Sequence, residues 1–258
     1  MRSGSRPRFL SLAAVAIAIG ASMGSAAATP STTYWTPATT DIQAFRVLHV
    51  GIDNYFTVFR KAIDGAGDFP TDVGLTVGVL PFQKLQMEIG VDTLEPSDHP
   101  LYFNAKIGMP ENALFRGAPA VNLGVFNVGT EAGSTNQNIV HGMLGKTIPD
   151  VCRLFAGGYV GNDQLLLDAQ GEAEETGFMV AFDRGFAPVK DAAGGSYNRL
   201  VLAGDYASGK NLFGGGGLGL YYYLTSSVSL LTGPVWFNEK AINGEWKWTT
   251  QLDVNLPF

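Results

Sequence analysis

The chain has 258 residues, 46% hydrophobic and only 16% charged, with 17 basic against 23 acidic residues, 33 glycines and a single cysteine. That balance excludes a disordered chain, and one cysteine excludes a disulfide scaffold. A sequence pI near 5.0 argues against a nucleic-acid partner.

Arg2, Arg6 and Arg8 precede an apolar run from Phe9 to Ala21 and then the small residues Ala26, Ala27 and Ala28. This is the pattern of a secretory signal peptide cleaved after Ala28. The run is short for a membrane anchor, and glycine and serine interrupt it. Removing residues 1–28 takes away three arginines and no acid, so the formal charge of −6 becomes −9.

Beyond the signal, alternation replaces helical periodicity. Val73, Leu75, Val77 and Val79 alternate with Asp72, Gly74, Thr76 and Gly78; Leu85, Met87, Ile89 and Val91 alternate with Gln86, Glu88, Gly90 and Asp92. Leu101, Phe103, Ala105 and Ile107 repeat the pattern, with breaks at Pro81–Lys84 and Pro96–Pro100 between the runs. Successive side chains of a strand point to opposite faces, so each run has one apolar and one polar face. Read this way, the chain predicts strands near 46–58, 71–80, 84–94, 100–109, 118–128, 137–147, 152–161, 177–186, 197–208, 215–224, 227–237 and 245–257. Each is near the ~10 residues that a tilted strand needs to cross a bilayer. About twelve strands result, with ten or fourteen also compatible. The runs at 118–128, 152–161 and 227–237 alternate least clearly, with small or apolar residues on both faces.

Alternation alone fits a soluble or a membrane barrel, and the sidedness decides between them. The polar set mixes glycine with Asp, Glu and Lys, which suits a tight hydrated lumen. The apolar set carries aromatics at strand ends: Trp236, Trp246 and Trp248 flank the 238–245 loop, while Tyr222 and Phe258 lie toward the other end. Two aromatic bands are the mark of side chains at membrane interfaces. The predicted fold class is therefore all-β, an antiparallel up-and-down transmembrane β-barrel.

The last strand, Gln251-Leu252-Asp253-Val254-Asn255-Leu256-Pro257-Phe258, resembles the terminal strand of Gram-negative outer-membrane β-barrel proteins, with its apolar alternation and C-terminal Phe. Pro257 departs from that pattern. The chain is also similar to porin-like proteins of unassigned role. The resemblance implies an outer-membrane location, contact with outer-membrane lipids and lipopolysaccharide, and insertion by the barrel assembly machinery through the C-terminal strand. On this reading residues 29–44 are a short periplasmic segment and residues 45–258 the barrel. External loops fall near 59–70, 95–100, 129–136, 162–176, 208–214 and 238–244. Periplasmic turns fall near 81–84, 110–117, 148–151, 187–196 and 225–226.

Strand parity turns His49, Asp53, Asp72, Glu88, Asp92, Lys106, Asp183, Arg199, Asp205, Lys247 and Asp253 toward the lumen. Ionisable groups face lipid only at ~2–4 kcal/mol for a midplane Arg or Lys, so their shared parity is informative. Glu88 and Lys106 lie on neighbouring strands equally far from the loop between them, a spacing that fits a pair. The acidic excess favours a narrow passive channel for small solutes or cations. The alternatives are a closed structural or interaction barrel and, less favoured, a lipid hydrolase.

Chemistry-bearing motifs are sparse. His49, His99 and His141 are not followed by the Ser of an HxS pair, and there is no GxSxG or HExxH. With scattered histidines no metal site or cofactor is expected. Gly204–Asn211 nearly matches a phosphate-binding loop, but Asn211 stands where a hydroxyl is needed and a strand follows in place of a helix. The acidic loop with Asp163, Asp168, Glu172, Glu174 and Glu175 lacks the spacing of a calcium loop. Cys152 reads as a free, partly buried thiol.

Overall fold

The computed structural model describes residues 34–58, 68–191 and 194–258. Residues 1–33, on which the expected signal peptide falls, and residues 59–67 and 192–193 lie outside the described residues. Twelve strands follow in order: β1 (Val47–Phe56), β2 (Thr71–Gly78), β3 (Gln86–Glu95), β4 (Leu101–Met109), β5 (Ala120–Gly129), β6 (Asn136–Ile148), β7 (Cys152–Val160), β8 (Thr176–Lys190), β9 (Ser196–Ala207), β10 (Gly215–Thr225), β11 (Val228–Phe237) and β12 (Lys247–Pro257). A single turn of helix, α1 (Lys240–Asn243), lies between β11 and β12. Every strand pairs antiparallel with its sequence neighbours, and β1 closes on β12 with Val47 opposite Pro257 and Phe56 opposite Trp248. The chain is a closed twelve-stranded barrel.

Closure leaves no edge strand with unpaired backbone groups. Pro257 is accommodated at the last position of the β1–β12 ladder, and Phe258 N–H donates to the Arg46 carbonyl at 2.9 Å just beyond it. The predicted strands match the observed ones to within a few residues, with one larger difference. β8 continues to Lys190, pairing Pro188 with Asn198 and Val189 with Tyr197, so the expected 187–196 turn shrinks to 191–195. Ala187 takes a left-handed φ of 51° there. That kink breaks the alternation, which is why the sequence suggested an ending. The 110–117 turn is ordered by Glu111, which accepts from Lys146 Nζ at 3.1 Å and from the Thr147 amide. Partial burial pushes the Glu111 carboxyl up, but these bonds outweigh it and hold the group below the ordinary glutamate value of 4.5.

The outer wall is apolar: Val73, Leu75, Ile89, Phe103, Ile107, Leu123, Leu144, Phe178, Leu218, Leu220 and Leu230 are all exposed on it. Trp236 and Tyr222 are exposed at opposite ends of the barrel, Trp248 is half-buried near Trp236, and Phe258 is exposed at the Tyr222 end. Trp246, half-buried, immediately precedes β12.

The interior differs from a uniformly polar lumen. One apolar cluster gathers Phe126, Ile139, Met143, Phe155, Tyr159 and Met179 from β5 to β8 with Leu166 and Phe213 from two loops that fold inward. A second gathers Tyr197, Val201, Tyr221, Tyr223, Leu231 and Val235 from β9 to β11. These clusters account for the weakly alternating runs: strands β5, β7 and β11 carry apolar residues on both faces because their inner faces pack in a core.

Candidate functional site: a lumen threaded by the N-terminal segment

Residues 34–44, expected in the periplasm, lie inside the barrel. Their first residues sit near the ends of the strands where β9, β11 and β12 meet the 208–214 and 238–246 loops, and they descend to the end where β1 begins. No strand ladder covers these residues, so their backbone groups depend on side chains of the wall. The polar inward residues supply those partners. Asp205 Oδ2 accepts from the amides of Tyr34, Trp35 and Thr36 at 2.9, 3.0 and 2.8 Å and from the Thr36 hydroxyl at 3.2 Å. Gln251 Nε2 and the Tyr55 hydroxyl both donate to the Tyr34 carbonyl, at 3.2 and 2.8 Å. Lower down, Asn122 donates to the Thr39 carbonyl at 2.8 Å, Lys106 to the Asp41 carbonyl at 3.0 Å, and Gln43 N–H donates to Glu88 at 2.6 Å.

Two features make room for this strap and lock it. Gly217 faces inward on β10, and a Cβ there would lie about 2.5 Å from Tyr34 Cβ, so the absence of a side chain admits the tyrosine. Arg153, inward on β7, holds Asp41 with both carboxylate oxygens, at 2.7 and 2.9 Å, and Asp183 on β8 with Nε at 2.9 Å and Nη2 at 2.5 Å. Such planar two-point contacts are the strongest charged hydrogen bonds a side chain makes. At the opposite end Trp35 stacks at 5.0–5.7 Å with Tyr55, Phe69 and Phe237 and donates its indole N–H to the Phe213 carbonyl at 2.9 Å.

The two apolar clusters line the barrel from β5 to β11, and the strap packs on them while bonding to Tyr55, Glu88, Lys106 and Gln251 on the other side. A polar strip remains on β1–β4 and β12. His49, Asp53, Asp72, Glu88, Asp92, Lys106 and Asp253 lie on these strands with inward parity. Glu88 and Lys106 are register partners with Nζ 3.4 Å from Oε1, both buried. Asn104 donates to Asp92. Gly51 sits between acids: a Cβ built on it would be 3.9 Å from Asp53 Oδ1 and 4.0 Å from Asp253 Oδ1. Asp72 Oδ1 and Asp253 Oδ1 are buried without a hydrogen-bond partner among the described residues.

The remaining candidates separate by what they touch. Asp183 and Asp205 face inward but serve Arg153 and the strap. Lys247, also inward, lies over the Phe69 ring with Nζ 5.2 Å from its centroid. Arg199 does not project into the lumen in the same sense. Its guanidinium lies 5.9 Å from the rings of both the inward Tyr197 and the outward Tyr222, at the barrel end beside the 191–195 turn. Sequence reasoning missed Asp41, Asn122, Arg153 and Gln251. Arg153 has lumen parity and was legible; Asp41 was not, because no periodicity marks the strap.

The geometry near His49 resembles part of a catalytic triad without its order. The Ser229 hydroxyl donates to Asp253 Oδ2 at 3.1 Å, and His49 Nε2 approaches Asp253 Oδ1 at 3.6 Å. An activated serine needs the histidine between serine and acid, whereas here the acid is in the middle. Among the described residues no His, Cys, Asp and Glu group is arranged to hold a metal ion. Asn211, in the near-miss phosphate loop, is fully buried and accepts from the Phe213 and Gly214 amides at 3.0 and 2.9 Å. The loop is a hairpin connection between β9 and β10.

No family model matches the chain, and no curated protein matches it. Among solved structures it is similar to an outer-membrane channel from Pseudomonas putida F1, at 11% identity and a TM-score of 0.41, covering 82% of this chain and 94% of that one. It is also similar to the NanC porin, at 7% identity and a TM-score of 0.46, covering 82% of this chain and all of the other. A third is the outer membrane protein Omp33 of Acinetobacter baumannii, at 10% identity and a TM-score of 0.40, covering 82% and 97%. The fold of this chain rests on its own strand pairing.

Proposed function

We propose that the protein is an outer-membrane β-barrel acting as a narrow passive channel for small cations or small neutral solutes. The apolar outer wall and the aromatics at both ends support a membrane setting. The C-terminal strand, paired in full with β1, is the segment by which the barrel assembly machinery would receive the chain, and the exposed wall is what lipid and lipopolysaccharide would contact. The route runs along the acidic strip of β1–β4 and β12, beside the strap.

One observation carries this reading: Asp72 and Asp253 each bury a carboxylate oxygen that has no hydrogen-bond partner among the described residues, next to Asp53 and Asp92. A buried carboxylate oxygen costs several kcal/mol unless water or a cation satisfies it, at ~1–3 kcal/mol per unmet bond and more for a charge. Water or a cation in the strip would satisfy these oxygens, and an excess of carboxylates along a path favours cations.

The test is single-channel current in a planar bilayer, with the reversal potential read under a KCl gradient. Discrete steps with cation preference, weakened by Asp92→Asn and Asp72→Asn, are the expected result. A folded and inserted barrel giving no steps overturns the channel in favour of a closed structural or interaction barrel. A lipid-hydrolase role predicts phospholipid cleavage abolished by His49→Ala; the placement of Asp253 between Ser229 and His49 speaks against it.

A further inference from the structure

Six wall side chains make hydrogen bonds to the main chain of residues 34–43: Asp205, Gln251, Tyr55, Asn122, Lys106 and Glu88. Backbone amides and carbonyls are common to every peptide, so these contacts read an extended chain irrespective of its sequence. Sequence-dependent contacts are added by Tyr34 against Gly217 and Tyr221, by Trp35 among Tyr55, Phe69 and Phe237 with its indole on the Phe213 carbonyl, by Gln43 on Asn255, and by the Asp41 carboxylate on Arg153.

Resting on the channel reading, we propose that the lumen contains a binding site for short extended peptides bearing a carboxylate, and that residues 34–44 occupy it as a tethered competitor. Asp205 and Glu88 take the ligand's amide N–H groups, Asn122 and Lys106 its carbonyls, and Arg153 its carboxylate. The strap joins β1 directly after residue 46. A tether that short gives an effective concentration in the ~mM range, so a free peptide enters only at comparable concentration or when the strap is weakened.

The experiment uses the full chain. Asp41→Ala removes the two-point contact to Arg153, and a synthetic peptide with the sequence of residues 34–44 is added during single-channel recording. The variant is expected to spend about tenfold more time open, the equivalent of ~1.4 kcal/mol lost with the charged two-point contact. The peptide should block that current, and a peptide with alanine in place of Asp41 should need about tenfold more to do so. Current that neither peptide reduces, or that both reduce equally, overturns the peptide site while leaving the channel standing. A second measurement needs no conduction: hydrogen exchange of the Tyr34–Thr36 amides in the wild-type protein should quicken on adding the wild-type peptide at mM concentration. Unchanged exchange overturns the proposal, and quickened exchange in a barrel that never conducts retains the site and refutes the channel.

Discussion

Asp205→Ala tests whether the strap is held by its backbone. In the wild-type barrel one carboxylate oxygen collects three successive strap amides at 2.8–3.0 Å, and the other accepts from Gly217 N–H at 3.1 Å. Truncation leaves those amides without an acceptor in a buried place. An orphaned donor costs ~1–3 kcal/mol, and water entering the space left by the carboxyl recovers part of it. Taking ~1 kcal/mol for each of the three amides, the upper strap loses about 3 kcal/mol of attachment, or roughly 150-fold in its released population. Hydrogen exchange followed by mass spectrometry reads this directly: protection at Tyr34–Thr36 should fall by about two orders of magnitude, while strands β1–β12 keep theirs. Protection at those amides within about threefold of wild type, in a barrel that is folded, refutes the argument. It would mean that the Tyr34 and Trp35 side chains hold the strap and the carboxylate does not.

Two further outcomes follow from the same packing. Gly217→Val places a Cβ about 2.5 Å from Tyr34 Cβ, so it should expel the upper strap and lower the urea midpoint; a midpoint equal to wild type would show that Tyr34 repacks freely. Lys106→Met alone leaves Glu88 buried without its cation and should destabilise by about 3–5 kcal/mol, whereas Lys106→Met with Glu88→Leu should cost less than the two single losses summed, the remainder being the orphaned Asp41 carbonyl and Gln43 amide. A double-variant cycle in urea measures the difference, and additive losses would contradict the pairing.

Strand number and sidedness were legible because alternation is a local property. A residue's face follows from its neighbours one and two places away, and hydrogen bonding between adjacent strands only preserves it. Hence Glu88 and Lys106 could be set opposite each other from the length of the loop between them, and Asp53, Asp72, Asp92 and Asp253 could be turned inward without coordinates. The same logic stumbled where local geometry departs from period two, as at Ala187, whose left-handed backbone hides the continuation of β8.

What an inward residue meets is another matter, since it depends on how the sheet closes and on which distant strands come to face one another. Parity turns Asp205 inward, but only closure brings it against residues 170 positions away in the strap. It likewise makes Phe155 and Leu231 appear to be lumen residues, although each packs in a separate apolar cluster. The strap was invisible from sequence for a related reason: residues 34–44 form no ladder and show no period, and most of their backbone partners are side chains of β1, β3–β5, β9 and β12. Alternation along the chain specifies a barrel with a polar inward set; closure of the sheet turns part of that set to a segment of the same chain, because backbone groups taken out of water must find partners wherever the fold provides them.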